Sequence, residues 1–393
     1  MTIDHSGRLK AMMASPLLLT MALGGMAMAQ SAPGALPNAA PAVGALCHGA
    51  DGGQPFHDGT FDTGEVTLAY SEGPANGPTI VFLPGMGVPR GSYARAAELL
   101  CTNFHVVMLD QRGQGASSWA KDGRYRVVDY GRDLLAFVRG PLKGEKVIVS
   151  GHSLGGLVAL WFAAEYPELT AGLNAEDNPF LMSERGRWER HWAKPLFEGM
   201  AHRLNAYQRS GRSAEAMLHG FQDESVVLPN QHVSYTQRIR ALGKQLSNMD
   251  AAGIQPADAK EAARLEIAYR RWLDGEKVRN GDFWPAALQM KIALAISSVD
   301  PRVAEAAVTG ELNDGFAHRA AMAKVRAPTL YWNSDQDLVG VISQAEHDEN
   351  VKLIGEHARV AHVVARSVGH QIHFEQPELY ARRIAEFFGK PGS

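Results

Sequence analysis

The stretch Val147–Gly156, Val-Ile-Val-Ser-Gly-His-Ser-Leu-Gly-Gly, constrains the fold more than any other part of the chain. A short apolar run climbs straight into Gly151-His152-Ser153-Leu154-Gly155, and small and apolar residues follow. The run reads as a buried strand, Lys146–Val149, and the residues after it as a helix, Leu154–Glu165. A strand buried on both faces belongs in a largely parallel sheet covered by helices. Gly-x-Ser-x-Gly between such a strand and helix is the sharp turn that lifts a serine hydroxyl out of the sheet edge. Glycines at 151 and 155 let neighbouring backbones approach. The helix start brings free N–H groups and a positive dipole end to Ser153.

The rest of the chain fits that sheet. Strands are expected at Glu65–Ser71, Thr79–Leu83 (closed by Pro84-Gly85), His105–Asp110 and Gly172–Ala175. Helices are expected at Ser92–Leu100 and Val127–Val138. From Pro179 to Arg326 the β signal fades, and charged helices such as Ala259–Leu273 take over. We read 179–326 as a helical insertion. Its tryptophans, Trp188, Trp192, Trp272 and Trp284, suit either a bulky apolar substrate or the packing of the insertion itself. The alternating pattern resumes with strands at Pro328–Ser334 and Arg359–Ser367. It ends in a helix, Pro377–Phe388, with proline at its start and Gly389 at its end. The fold class is therefore α/β, with a body made of 47–178 and 327–393.

The N-terminal region has a different character. Arg8 and Lys10 precede an apolar run, Ala11–Ala29, that closes on Ala27-Met28-Ala29. This pattern predicts a secretory signal peptide over 1–29, and so a periplasmic or secreted protein. Gly24, Gly25 and the short apolar core argue against a membrane anchor, and no later apolar run is long enough to cross a bilayer. Residues 30–46 are rich in Ala, Pro and Gly and read as a flexible leader. In an oxidising compartment Cys47 and Cys101 could form one disulfide; the alternative is two buried thiols. The net charge of −3 and the absence of a basic stripe argue against nucleic-acid binding.

Ser153 needs a base, and His370 follows Gly369 in the turn between the last strand and the last helix. His373 is the competing candidate. A carboxylate should orient the histidine and stabilise its cationic form. In this architecture the order along the chain is serine, acid, histidine. Ser334-Asp335-Gln336-Asp337 resembles the usual Gly-x-x-Asp turn with serine for glycine, which makes Asp337 the expected acid. Asp177, with Glu176 beside it, is the alternative, and Asp335 the remaining one. Two fixed N–H donors are needed where an oxyanion develops. Leu154 offers one, and Met86 in the turn Pro84-Gly85-Met86-Gly87 offers the other.

Together these residues resemble the α/β-hydrolase family, in its cap-bearing serine hydrolase branch. The most specific points are Gly151 to Gly155, Gly369-His370, and Leu109 to Ser117, Leu-Asp-Gln-Arg-Gly-Gln-Gly-Ala-Ser, which resembles the family's Asp-x-Arg-Gly-x-Gly-x-Ser turn. One departure is Pro84-Gly85, where many members carry His-Gly. The resemblance implies a mostly parallel sheet of about eight strands with one antiparallel strand near its start. It also implies a helical cap over Ser153 and a structural role for Arg112. The implied activity is hydrolysis of a carboxylic ester or lactone through an acyl-enzyme on Ser153, with no cofactor and no metal. Amide or C–C hydrolysis by the same triad is the alternative reading, and a non-catalytic binding protein on the same fold a remote one. Family members that open epoxides or remove halides use an aspartate nucleophile, so Ser153 argues against both.

Overall fold

In the computed structural model the described residues are 56–389, apart from 182, 185, 192, 227–233, 252 and 339. The expected signal peptide over 1–29, the leader over 30–46, Cys47 and Trp192 lie outside them. Cys101 is buried and disulfide-bonded.

The chain opens with an antiparallel pair, β1 (His57–Asp62) and β2 (Thr67–Glu72), which sequence patterning gave only in its second half. Next come β3 (Thr79–Leu83), a 3₁₀ turn at Arg90–Tyr93, α1 (Ala94–Leu100), β4 (His105–Leu109) and α2 (Val127–Arg139). They are followed by β5 (Val147–His152), α3 (Leu154–Glu165) and β6 (Thr170–Glu176). The insertion holds α4 (Lys194–Arg209), α5 (Ala214–Asp223), α6 (Tyr235–Ala251), α7 (Ala259–Leu273), α8 (Asn280–Phe283), α9 (Ala286–Leu294), α10 (Pro301–Thr309) and α11 (His318–Lys324). The body closes with β7 (Thr329–Asn333), α12 (Gln344–Gly355), β8 (Val360–Val364), the short α13 (Ile372–Glu375) and α14 (Pro377–Phe388).

The eight strands form one sheet in the order β1-β2-β4-β3-β5-β6-β7-β8. β2 pairs antiparallel with both its neighbours, and every other pairing is parallel. This is the mostly parallel, helix-flanked sheet with a helical insertion that the sequence predicts. Every residue of β3, β5 and β7 is buried.

Alternation along the strands divides the core into two layers. Val81, Leu83, Val147 and Val149 face one side, against Leu134 and Phe137 of α2 and Leu157 and Leu160 of α3. Ile80, Phe82 and Ile148 face the other, against Ala97 and Leu100 of α1 and Tyr380 and Ile384 of α14. The insertion has an apolar core of its own, with Leu242, Leu246, Trp272, Phe283 and Leu288. Trp272 belongs to that core and Trp188 is buried in the main one. Both rings are thus accounted for by packing, and neither identifies a substrate. Among the described residues no helix is long and apolar enough to cross a membrane.

Candidate active site

The site is built at the C-terminal ends of β5 and β6, which pair in parallel register up to His152 and Glu176. Ser153 follows β5 directly and carries φ 52° and ψ −117°, a conformation that L-residues rarely adopt. Its neighbours enforce the turn. A Cβ on Gly155 would lie 2.0 Å from the carbonyl oxygen of Leu83, and one on Gly151 would lie 2.2 Å from that of Gly155. Only glycine fits at either position. The elbow is also braced from β6. Glu176 O accepts the Ser153 N–H at 3.2 Å, and Asn178 Nδ2 donates to Gly151 O at 3.1 Å and Ser153 O at 3.3 Å.

Asp177 is the first residue beyond β6, buried, with φ 42°. Its Oδ2 accepts from His370 Nδ1 at 2.6 Å and from the Val341 N–H at 3.0 Å. The carboxylate on His370 is therefore that of Asp177, and the expected pairing with Asp337 is corrected. β6 lies next to β5, and the residue just beyond its end, Asp177, reaches the His370 ring. Asp337 falls in a 3₁₀ turn, Gln336–Leu338, and its side chain lies outside the described set. The chain after it supplies a backbone donor, Val341 N–H, to Asp177 instead. Asp335 closes a loop: its Oδ2 accepts the Ser367 N–H at 3.0 Å and pairs with Arg240 at 3.1 Å.

The other two candidates, Glu176 and His373, meet each other. His373 Nδ1 lies 2.8 Å from Glu176 Oε2, and its backbone N–H donates to Oε1 at 2.8 Å. His373 Nε2 is 3.1 Å from Ser92 Oγ, and its ring stacks on Tyr93 with centroids 3.9 Å apart. His152 lies between the two histidines, its ring centroid 4.3 Å from that of His370. Burial, together with the neighbouring His370 and His373, pushes its pKa well down, so it is neutral. His152 Nε2 is 3.0 Å from the carbonyl of His370, which can only accept, so the ring proton is on Nε2. The loop carrying His370 is also fastened to the insertion. Lys244 Nζ of α6 donates to Ser367 O at 2.8 Å and pairs with Glu375, whose Oε1 accepts the Gly369 N–H at 2.8 Å.

The turn Pro84 to Gly87 packs on the elbow. A Cβ on Gly85 would lie 2.7 Å from His152 Nδ1 and 3.1 Å from Ser153 Cβ. Among the described residues no acceptor takes the N–H of Met86 or of Leu154. Arg112 is buried and forms ion pairs with Asp133 at 2.5 Å and Glu65 at 3.1 Å, anchoring the loop after β4 to α2 and to the turn between β1 and β2. No group of three or more His, Cys, Asp or Glu is placed to hold a metal ion among the described residues. His152, Asn178, Lys244 and the loop glutamines Gln111 and Gln114 went unread in the sequence. The one available signal was that these glutamines are large polar residues set among glycines.

A positive-φ serine at a strand–helix elbow, with a histidine held by a carboxylate from the next strand, sets the class of fold and site. The chain belongs to the alpha/beta hydrolase fold family, which it matches over residues 78–377. It is 32% identical over 124 residues to the 2-(acetamidomethylene)succinate hydrolase of Mesorhizobium japonicum, spanning 31% of this chain and 44% of that protein. It is 37% identical over 131 residues to the pimeloyl-[acyl-carrier protein] methyl ester esterase of Chromobacterium violaceum, spanning 33% and 48%. The chain thus spans less than half the length of these two curated relatives. Among solved structures it is similar to a thermophilic esterase from Thermogutta terrifontis, with a TM-score of 0.53, 20% identity, and 84% and 97% of the two chains covered. At that identity the likeness speaks for the fold.

Proposed function

We propose that this chain is a serine hydrolase that cleaves a carboxylic ester or lactone, with Ser153 as nucleophile, His370 as base and Asp177 as the acid that orients the base. The observation carrying this reading is the pairing of two features. One is Ser153, held at positive φ between β5 and α3. The other is His370, with Nδ1 on Asp177 and no partner for Nε2 among the described residues. In this mechanism His370 Nε2 takes the Ser153 hydroxyl proton as Oγ attacks the carbonyl carbon. Asp177 keeps the proton on Nδ1 and stabilises the imidazolium. The Met86 and Leu154 N–H groups receive the oxyanion. The tetrahedral adduct collapses as His370 protonates the leaving alcohol. Water, deprotonated by the same nitrogen, then releases the acid from the acyl-enzyme. A methyl ester esterase among the relatives supports an ester as substrate. We further propose that the protein is exported, on the basic, apolar and small-x-small pattern over 1–29.

Labelling with a fluorophosphonate, alongside p-nitrophenyl ester turnover, tests the reading. Wild type becomes labelled on Ser153 and turns over the ester, and Ser153→Ala loses both, with kcat down by about 10⁶-fold. Turnover unchanged in Ser153→Ala would remove the mechanism.

A further inference from the structure

The loop after β4 holds two buried glutamines that both reach the turn Pro84 to Gly87. Gln111 Nε2 donates to Pro84 O at 2.7 Å, and Gln114 Oε1 accepts the Gly87 N–H at 2.5 Å. The turn is thus gripped at its first carbonyl and at its last N–H. A third bond, Val88 N–H to Gly85 O at 3.2 Å, closes it from within. With Gly87 and Val88 engaged, Met86 keeps an N–H that no described residue accepts, and the turn that carries it lies against Ser153.

The platform beneath the glutamines is rigid. Gly113 and Gly115 both take positive φ, and Asp110 collects the N–H groups of Arg90 at 2.7 Å and Ala116 at 3.0 Å as well as the Arg90 guanidinium. Ser117 Oγ donates to Asp110 O at 2.6 Å, and Gly113 O accepts the Asp300 N–H at 2.9 Å. Gln114 is 1% exposed, yet its Nε2 has no partner among the described residues. Burying an unused amide donor is unfavourable, and an apolar side chain of similar size would avoid that cost. The cost is incurred for what Oε1 does.

We propose that Gln114 is a positioning residue for the oxyanion site: by holding the Gly87 N–H, and with Gln111 on Pro84, it aims the Met86 N–H at the oxygen that becomes negative on Ser153. This rests on the hydrolase reading above. The Gly87 bond fixes the peptide immediately after Met86, so its loss lets the turn relax. A donor displaced by about 1 Å from a developing oxyanion can lower the rate by about 100-fold without weakening ground-state binding.

Two variants of the full-length chain test this. Gln114→Leu removes the acceptor. It should lower kcat by about 10- to 100-fold with KM changed by less than about threefold. Affinity for a trifluoromethyl ketone, which forms a tetrahedral oxyanion on the serine, should fall by the same factor as kcat/KM. Gln114→Glu keeps an acceptor for Gly87. Its ionisation places a negative charge beside the oxyanion, adding a falling limb to the pH profile of kcat that wild type lacks. The inference is overturned if Gln114→Leu keeps the wild-type melting temperature and a kcat within about twofold of wild type, or loses kcat with no loss of ketone affinity. If Gln114→Leu does not fold, Gln114→Glu decides, and a pH profile identical to wild type overturns the inference. A wild-type chain that hydrolyses no ester and takes no fluorophosphonate overturns the hydrolase reading and this inference together. An active wild type with unaltered variants overturns the inference alone.

Discussion

Glu176 and Asp177 are consecutive residues at the end of β6, and His373 and His370 are one helical turn apart after β8. Each carboxylate holds the Nδ1 of one histidine, at 2.8 Å and 2.6 Å. By chemistry alone the two pairs are nearly equivalent. They differ in what meets the far nitrogen. His373 Nε2 faces Ser92 Oγ, under a ring stacked on Tyr93, with both partners buried. His370 Nε2 has no partner among the described residues. A carboxylate–histidine pair closed at both ends is a brace; the same pair open at one end is a base that can take a proton. The inner pair serves the outer one, because Glu176 fixes the start of α13 through the His373 N–H, three residues after His370.

Three measurements can break or sharpen this contrast. The largest effect is expected at Asp177. Asp177→Asn offers His370 an amide that can leave it in the wrong tautomer, and kcat should fall by about 10⁴-fold, as for the same change in a serine protease triad. Asp337→Asn should stay within about threefold of wild type, since the His370 Nδ1 is already held by Asp177. The reverse outcome in paired ester assays would return the acid to the β7 loop.

Second comes Glu176→Gln, which takes away a carboxylate whose two oxygens both lie within hydrogen-bonding distance of His373 Nδ1. Unfolding in denaturant should show a loss of about 3 kcal/mol, with kcat reduced only about tenfold. A kcat loss equal to that of Asp177→Asn, with stability intact, would erase the distinction between brace and base.

The smallest effect concerns an ion pair of the insertion, Arg203 and Glu224, 3.1 Å apart. Burial pushes Glu224 up to about 7 and also lowers Arg203, so desolvation outweighs the attraction within this pair. The folded carboxyl pKa lies above its unfolded value, so the folded state binds the extra proton. Stability should therefore fall as pH rises from about 4.5 to about 7, by at most about 3 kcal/mol. Melting temperatures across that window should decline in wild type and stay level in Glu224→Gln. Equal slopes would show that the insertion's pair is solvated, unlike the two in the body.

Much of the body was legible because its signals are local. The apolar runs of β3 and β5, the Gly-x-Ser-x-Gly elbow and the proline that opens α14 each determine their own geometry within a few residues. The edge strand β1, half exposed with little apolar patterning, offered no such signal. His370 was legible from its place between the last strand and the last helix. The carboxylate that pairs with it was not, because Asp177 and Asp337 both follow strands, and nothing local to either shows which one reaches the His370 ring. The support of the oxyanion turn lay deeper still. Gln111 and Gln114 act on residues 27 positions away, a separation at which no sequence period speaks.

Lys244 ties two parts of the molecule that the sequence keeps far apart. It belongs to α6 in the insertion, yet it grips Ser367 O and Glu375 on either side of His370. Any excursion of α6 away from the body must first release that grip, and with it the side chain that steadies the Gly369 N–H. Lys244 is thus a single rivet through which the insertion and the loop carrying His370 are held together.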